Sequence, residues 1–336
     1  MDNLANAVID AALYKSVLVL LLMASLCLIP GVNRSLAVQL GTEVSGGYDS
    51  NAALTDEETG SGFARYRLWV TQPFLQSNNK LNGSGVIQGV YQDFFDISDN
   101  YRISAGADLR WHLDNKKIIP TFMGEAVVFR NKELPEDDVS AVLLGSRLQW
   151  LATSRLTLGG YQSISLRDNA AAAEAGSGFG MGIGGAGSPG PHGSRGKASD
   201  ASGNLTKADK ETGILSQSRL ESTWYILPSF TVDLTVAHNR MFSSENTAEY
   251  TENGFIATLR FEAGENWIFT GQAAYWDTEY DIGDFEEDTW IMDLWASRYI
   301  DKWELFALAR WLDKEASATI DTYQQKVIEC GVSRKF

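Results

Sequence analysis

The sequence of 336 residues is short of the residue types that most often carry chemistry or covalent order: it has two cysteines, three histidines and seven prolines. Cys27 and Cys330 form no Cys-x-x-Cys-His motif and no closely spaced pair, so no redox cofactor is implied. His112, His192 and His238 lie far apart. None has a serine and an orienting group at a spacing that would assemble a nucleophile and its base, and the sequence points away from catalysis. Basic residues are also in deficit, 28 against 43 acidic ones, and a net charge of -15 argues against a nucleic-acid partner. Only one long apolar run is present. That excludes a polytopic helical membrane protein, although 44% of the residues are hydrophobic.

The single run, SVLVLLLMASLCLI over residues 16–29, follows Lys15 and precedes Pro30-Gly31 and Ser35-Leu36-Ala37. It is shorter than the roughly 20 residues a bilayer span needs. Its flanks match a secretory signal with a small-x-small cleavage site, and residues 1–37 are expected to be removed, leaving a mature start near Val38. The segment preceding the run is unusual in carrying Asp2 and Asp10 against one lysine. Cys27 leaves with the signal, so Cys330 can make no intrachain disulfide. Asp2, Asp10, Lys15 and Arg34 cancel, so the mature chain keeps its full acidity.

From Val38 onward, fourteen segments of alternating character are separated by links whose lengths themselves alternate. The segments run near 38–48, 63–75, 81–95, 101–113, 118–130, 139–151, 155–167, 213–227, 230–242, 254–262, 267–279, 288–300, 303–313 and 323–336. Each is about the length of a tilted strand crossing a bilayer. Links after even segments are short, such as Pro228-Ser229 and Asp301-Lys302; those after odd segments are longer and often acidic. Tyr101–Leu113 alternates cleanly, with Tyr101, Ile103, Leu109 and Trp111 on one face and Arg102, Ser104, Asp108, Arg110 and His112 on the other. A soluble sandwich seldom puts so many charges on one strand face at mid-length. Segments 81–95 and 118–130 alternate poorly, and a bulge or a register other than the one read here is expected there. Phe74, Trp150, Trp224, Phe230, Trp267, Tyr299, Trp303 and Phe336 flank the short links. Tyr91, Tyr101, Phe129, Tyr275, Trp290 and Trp311 approach the long ones, as two interfacial girdles would.

The last segment, Tyr323–Phe336, sets Ile328, Cys330, Val332 and Arg334 on one face and Glu329, Gly331, Ser333 and Lys335 on the other, and ends on an aromatic residue. It resembles the terminal strand of Gram-negative outer-membrane barrels. In that family the closing aromatic is read by the barrel-assembly machinery, which implies an assembly signal at Phe336 and Val332. Arg334 departs from the pattern by placing a charge where an apolar residue is usual, at a height where it could snorkel. The expected architecture is all-β: a single transmembrane antiparallel up-and-down β-barrel of about 14 strands, spanning 38–336, with both ends on the periplasmic side and outer-membrane lipid and lipopolysaccharide around it.

Inward parity collects a two-signed set of charges. Arg65, Arg67, Arg102, Arg110, Arg147, Arg219, Arg260 and Arg310 share it with Asp108, Glu125, Glu221, Asp233, Glu262, Asp293, Glu304 and Glu329. They either line a water-filled pore, sorting solutes by charge, or pair across strands and merely fill the interior. Acidic loops, such as Glu136-Asp137-Asp138 and the group from Asp281 to Asp288, could hold calcium or bridge to lipopolysaccharide, but they lack the spacing of a calcium-binding loop. The low-complexity stretch 168–212, rich in alanine and then glycine, is expected to be external. It reads as a flexible loop, a constriction carrying Arg195, Lys197, Lys207 and Lys210, or a docking surface for a partner. The stretch Ser45-Gly46-Gly47-Tyr48-Asp49-Ser50-Asn51-Ala52-Ala53-Leu54 resembles the first strand and loop of barrels in surface-lipoprotein assembly modifiers and some exopolysaccharide-system proteins. The sequence thus leaves three functions open: passive diffusion of small hydrophilic solutes, export or assembly of polysaccharide or a surface protein, and a structural or adhesive barrel with a closed lumen.

Overall fold

In a computed structural model, the described residues are 38–52, 60–77, 80–96, 99–113, 116–131, 138–168, 212–243, 249–281, 285–317 and 322–336. The expected signal (1–37) and all but the edges of the stretch 168–212 lie outside them. The fourteen strands are β1 (Gln39–Asp49), β2 (Ser61–Ser77), β3 (Leu81–Phe94), β4 (Asn100–Trp111), β5 (Ile118–Asn131), β6 (Val139–Thr153), β7 (Leu156–Arg167), β8 (Gly213–Leu227), β9 (Phe230–Ser243), β10 (Tyr250–Ala263), β11 (Trp267–Tyr280), β12 (Glu286–Ile300), β13 (Trp303–Ala316) and β14 (Tyr323–Lys335). Each pairs antiparallel with its sequence neighbours, and β1 pairs with β14 to close the barrel. Closure matters because an open sheet edge in hydrocarbon leaves backbone amides and carbonyls without partners.

The seam between β1 and β14 is tight. Its register runs from Gly41 opposite Lys335 to Asp49 opposite Val327. A Cβ placed on Gly47 would lie 2.1 Å from the carbonyl oxygen of Ile328, so only glycine lets the two backbones approach there. The terminal residue is tied into the ring as well: the amide of Phe336 donates to the carbonyl of Leu40 at 2.8 Å. Arg334, the charge that departs from the apolar pattern, lays its guanidinium over the rings of Trp303 and Phe336, 4.7 and 4.6 Å from their centroids.

Period-two alternation sorts the side chains into two walls. The outer one is greasy in mid-strand: Leu144, Leu220, Leu294 and Ile328 are all about two-thirds exposed. In water that would be an aggregation surface; in hydrocarbon it is the matching one. Two aromatics assigned to the girdles face the other way. Phe129 is buried on the inner wall beside Val139, and Tyr299 stands at an inward position opposite Glu304.

The expected bulges in 81–95 and 118–130 are absent, since β3 and β5 keep one register with both neighbours apart from the link-side end of β2. Their alternation is blurred by composition instead. Gly83, Gly85 and Gly89 take outward places on β3, while Val127 and Phe129 are apolar and inward on β5. The shifts fall beside short links, at Pro73/Leu75, Leu151/Thr153 and Tyr225/Leu227. Asp301 adopts a left-handed backbone (φ 53°) in its two-residue turn, which matches the twist of the flanking strands. β10, β12 and β13 each extend two to four residues further toward the long links than alternation suggests. Beyond the greasy band the outer face turns polar, as at Thr251 and Asn253, and the ladder continues.

Candidate functional site

The inner wall carries the chemistry, and its charges are held along the wall by neighbours on the same strand or one or two strands away. Arg65 on β2 sends Nη1 to both oxygens of Glu329 on β14, at 2.9 and 2.7 Å, and its Nε and Nη2 to Oε1 of Gln92 on β3. Ser45 on β1, lying between them, donates to Glu329 as well. Arg310 on β13 grips Asp293 on β12 with two parallel bonds of 2.7 Å. Both pairs are more than nine-tenths buried; Arg310 meets Asp293 fork to fork, while Arg65 divides its nitrogens between Glu329 and Gln92, so that each buried guanidinium is matched.

The remaining candidates follow the same rule with looser geometry. Arg110 donates to Asp108 at 2.8 Å, and Ser84 donates to that carboxylate from β3. Arg147 pairs with Glu221, reaching from β6 to β8 across Gly159 on β7. Arg260 pairs with Glu262 at 3.1 Å, both about half exposed. Arg67 lies 3.9 Å from Glu43 and donates to Gln88. Asp233 accepts from Thr223, and Glu304 accepts from Ser297 and Ser333. Glu125 is buried beside Ser104 and Arg102, and Arg219 lies over the ring of Tyr161. Every charge assigned to the inner face from the sequence stands at an inward register position.

Other wall residues were not singled out by the sequence. Lys314 and Glu287 form a buried pair at 2.7 Å, with Tyr280 donating to the same carboxylate. They lie just past the ends expected for their strands, and so escaped the parity count. Glu43, Gln88 and Gln92 sat on the correct parity. Toward the long links the inner wall turns apolar: Leu215, Met241 and Tyr250 form one buried cluster, and Trp276, Ile291, Leu312 and Tyr323 belong to another.

Among the described residues, three acidic groups near the long links are engaged by protein. Asp281 receives both terminal nitrogens of Arg240, Asp288 accepts from the Tyr275 hydroxyl, and Asp138 lies 3.6 Å from Arg130. Among the described residues no three His, Cys, Asp or Glu side chains converge as a metal ion would require. His112 meets Asn82 at 3.1 Å and His238 meets Asn253 at 2.9 Å. His238 is on the outer wall, away from the inner charges.

No protein-family model matches the chain, and no curated protein does. Solved structures resemble it in fold. OmpT, an outer membrane protein of Vibrio cholerae, in its in-vitro folded trimer form, aligns over 90% of this chain and 99% of its own at 8% identity and a TM-score of 0.51. The loop L8 deletion mutant of OmpT aligns over 90% and 100% at 9% identity and 0.50. An anion-selective porin from Comamonas acidovorans aligns over 90% and 99% at 9% identity, with a TM-score of 0.49. At such identities the likeness is one of barrel architecture: the chain has the fold of outer-membrane barrels.

Proposed function

We propose that the protein is an outer-membrane channel through which small hydrophilic solutes diffuse passively. The observation that carries this is the two-signed belt of paired charges pinned to the inside of a closed ring whose outside is apolar. A water-filled interior tolerates such groups, and the partly exposed pairs Arg147–Glu221 and Arg260–Glu262 face it. Fourteen strands spaced about 4.8 Å apart and tilted by about 40° give a backbone diameter of about 28 Å, between barrels filled by side chains and those holding a channel. Because most arginines answer a carboxylate on the same wall, the field across the lumen is nearly balanced, and the pore sorts solutes by size more than by charge.

In this reading residues 1–37 direct export and are cleaved. Phe336 and Val332 present the assembly signal, and lipopolysaccharide meets the rim on the long-link side. Planar-bilayer recording of refolded protein tests it. Stepwise conductance is expected, with a reversal potential near zero in a potassium chloride gradient. A strongly selective current would overturn the charge balance; absence of steps would overturn the channel. The latter outcome belongs to a second reading, a structural barrel with a filled lumen. That reading is favoured by the complete burial of Leu215, Gln217, Asn239 and Met241 at inward positions.

A further inference from the structure

The outer wall is not uniformly suited to lipid. Across β6 to β10 one register line reads Ser146, Gln162, Ser218, His238, Asn253. Leu144 and Leu148 flank Ser146 on its face of β6, Gln162 lies between Gly160 and Ile164 on β7, and Ser218 lies between Ser216 and Leu220 on β8. They therefore stand at hydrocarbon depth. Gln162 donates to Ser216 at 3.2 Å and accepts from Ser218 at 2.6 Å. These bonds do not exhaust the hydrogen-bonding capacity of a primary amide, and acyl chains offer no partner for what remains.

Directly beneath the line, the outer wall is hollow. Gly160 leaves a groove of about 600 Å³ walled by Phe122, Leu148, Leu220 and Val236, and a Cβ built on this glycine would meet nothing within 4 Å. Leu220, among the most exposed apolar side chains of the molecule, stands at the edge of this hollow. Knob and hole thus share one face, as a two-fold interface between identical surfaces requires.

We propose that this face, centred on Gly160 and Gln162, is a docking surface for a second copy of the same chain. Its serine, glutamine and asparagine side chains are uncharged and each both donates and accepts, so the surface is complementary to itself. The outer wall of the next two strands differs toward the long links. On β11 and β12, Asp277 faces Asp288 and Glu279 faces Glu286, which would repel a copy of themselves. This inference is independent of whether the lumen conducts.

Disulfide trapping tests it in native membranes, in a full-length chain with Cys27→Ala and Cys330→Ala. Gln162→Cys is expected to cross-link to a homodimer at least tenfold faster than Leu294→Cys on β12, outside this face. Gly160→Trp, added to fill the hollow, should abolish that product while the barrel keeps its heat-modifiable migration. Mass photometry of the unmodified protein in nanodiscs should give twice the mass of one chain. Equal trapping at positions 162 and 294, a single-chain mass in nanodiscs, or a cross-linked product of another mass would each overturn the proposal; the last two would assign the hollow to lipid and to a different protein.

Discussion

Arg65 and Glu329, 264 positions apart in sequence, form a two-pronged ion pair that spans β1 and so links β2 directly to β14 across the closing seam. The pair is buried, and removing one partner leaves the other desolvated and unmatched. Glu329→Gln is expected to cost about 3 kcal/mol. Arg65→Met combined with Glu329→Met should recover most of it, because two apolar groups bury at little cost. Urea titration of the refolded barrel in liposomes, followed by tryptophan fluorescence, measures both. Additive losses in the double variant would show that the two side chains do not act as a unit.

The two walls should differ in their tolerance of charge. Leu294 is outward at mid-strand on β12 and about two-thirds exposed, while Gln272 is inward on β11 opposite Asp293. Leu294→Arg is expected to lose about 2–4 kcal/mol of folding free energy in a bilayer. Gln272→Arg should lose well under half of that, and the comparison is made by equilibrium refolding into vesicles. Equal penalties would mean that the inner wall is as dry as the outer.

Gly47 marks where the ring can be broken. A valine there would press on the Ile328 carbonyl and the Phe63 ring, for a loss of about 3 kcal/mol. Gly89→Val on β3 is the matched control, since a Cβ at Gly89 meets no atom within 4 Å. Heat-modifiable electrophoresis should show the Gly47 variant unfolding at lower temperature and the Gly89 variant unchanged.

Phe336 contributes a backbone bond to β1, and that bond survives replacement of its side chain. Phe336→Ala is therefore expected to refold in detergent almost as well as the parent, yet to accumulate several-fold less in the outer membrane of expressing cells. A parallel loss in both assays would assign the ring to stability and not to recognition during assembly.

The strand count and most of each strand were legible because alternation and link length are local properties. Val139–Thr153 and Phe230–Ser243 lie within two residues of the spans expected for them. Alternation failed where both faces share one character. β3 and β5 seemed irregular because glycine faces out and valine faces in, and the starts of β10 and β12 were missed where the ladder leaves the greasy band. The inward charges were legible as a set for the same reason of parity. Their partners were not, because parity says which wall a residue joins and nothing about its height.

The amino-acid order alone determined a two-faced chain of fourteen strands, greasy on one side and charged on the other, since a period of two is written residue by residue. Tertiary structure decided which residues became neighbours. Ring closure brings Ser45, Arg65 and Glu329 into one cluster, and the register of β6 to β9 places Ser146, Gln162, Ser218 and His238 in a single line above the hollow at Gly160. The physical reason is that register is set by hydrogen bonds between strands, and the last of these forms only when the chain's two ends meet.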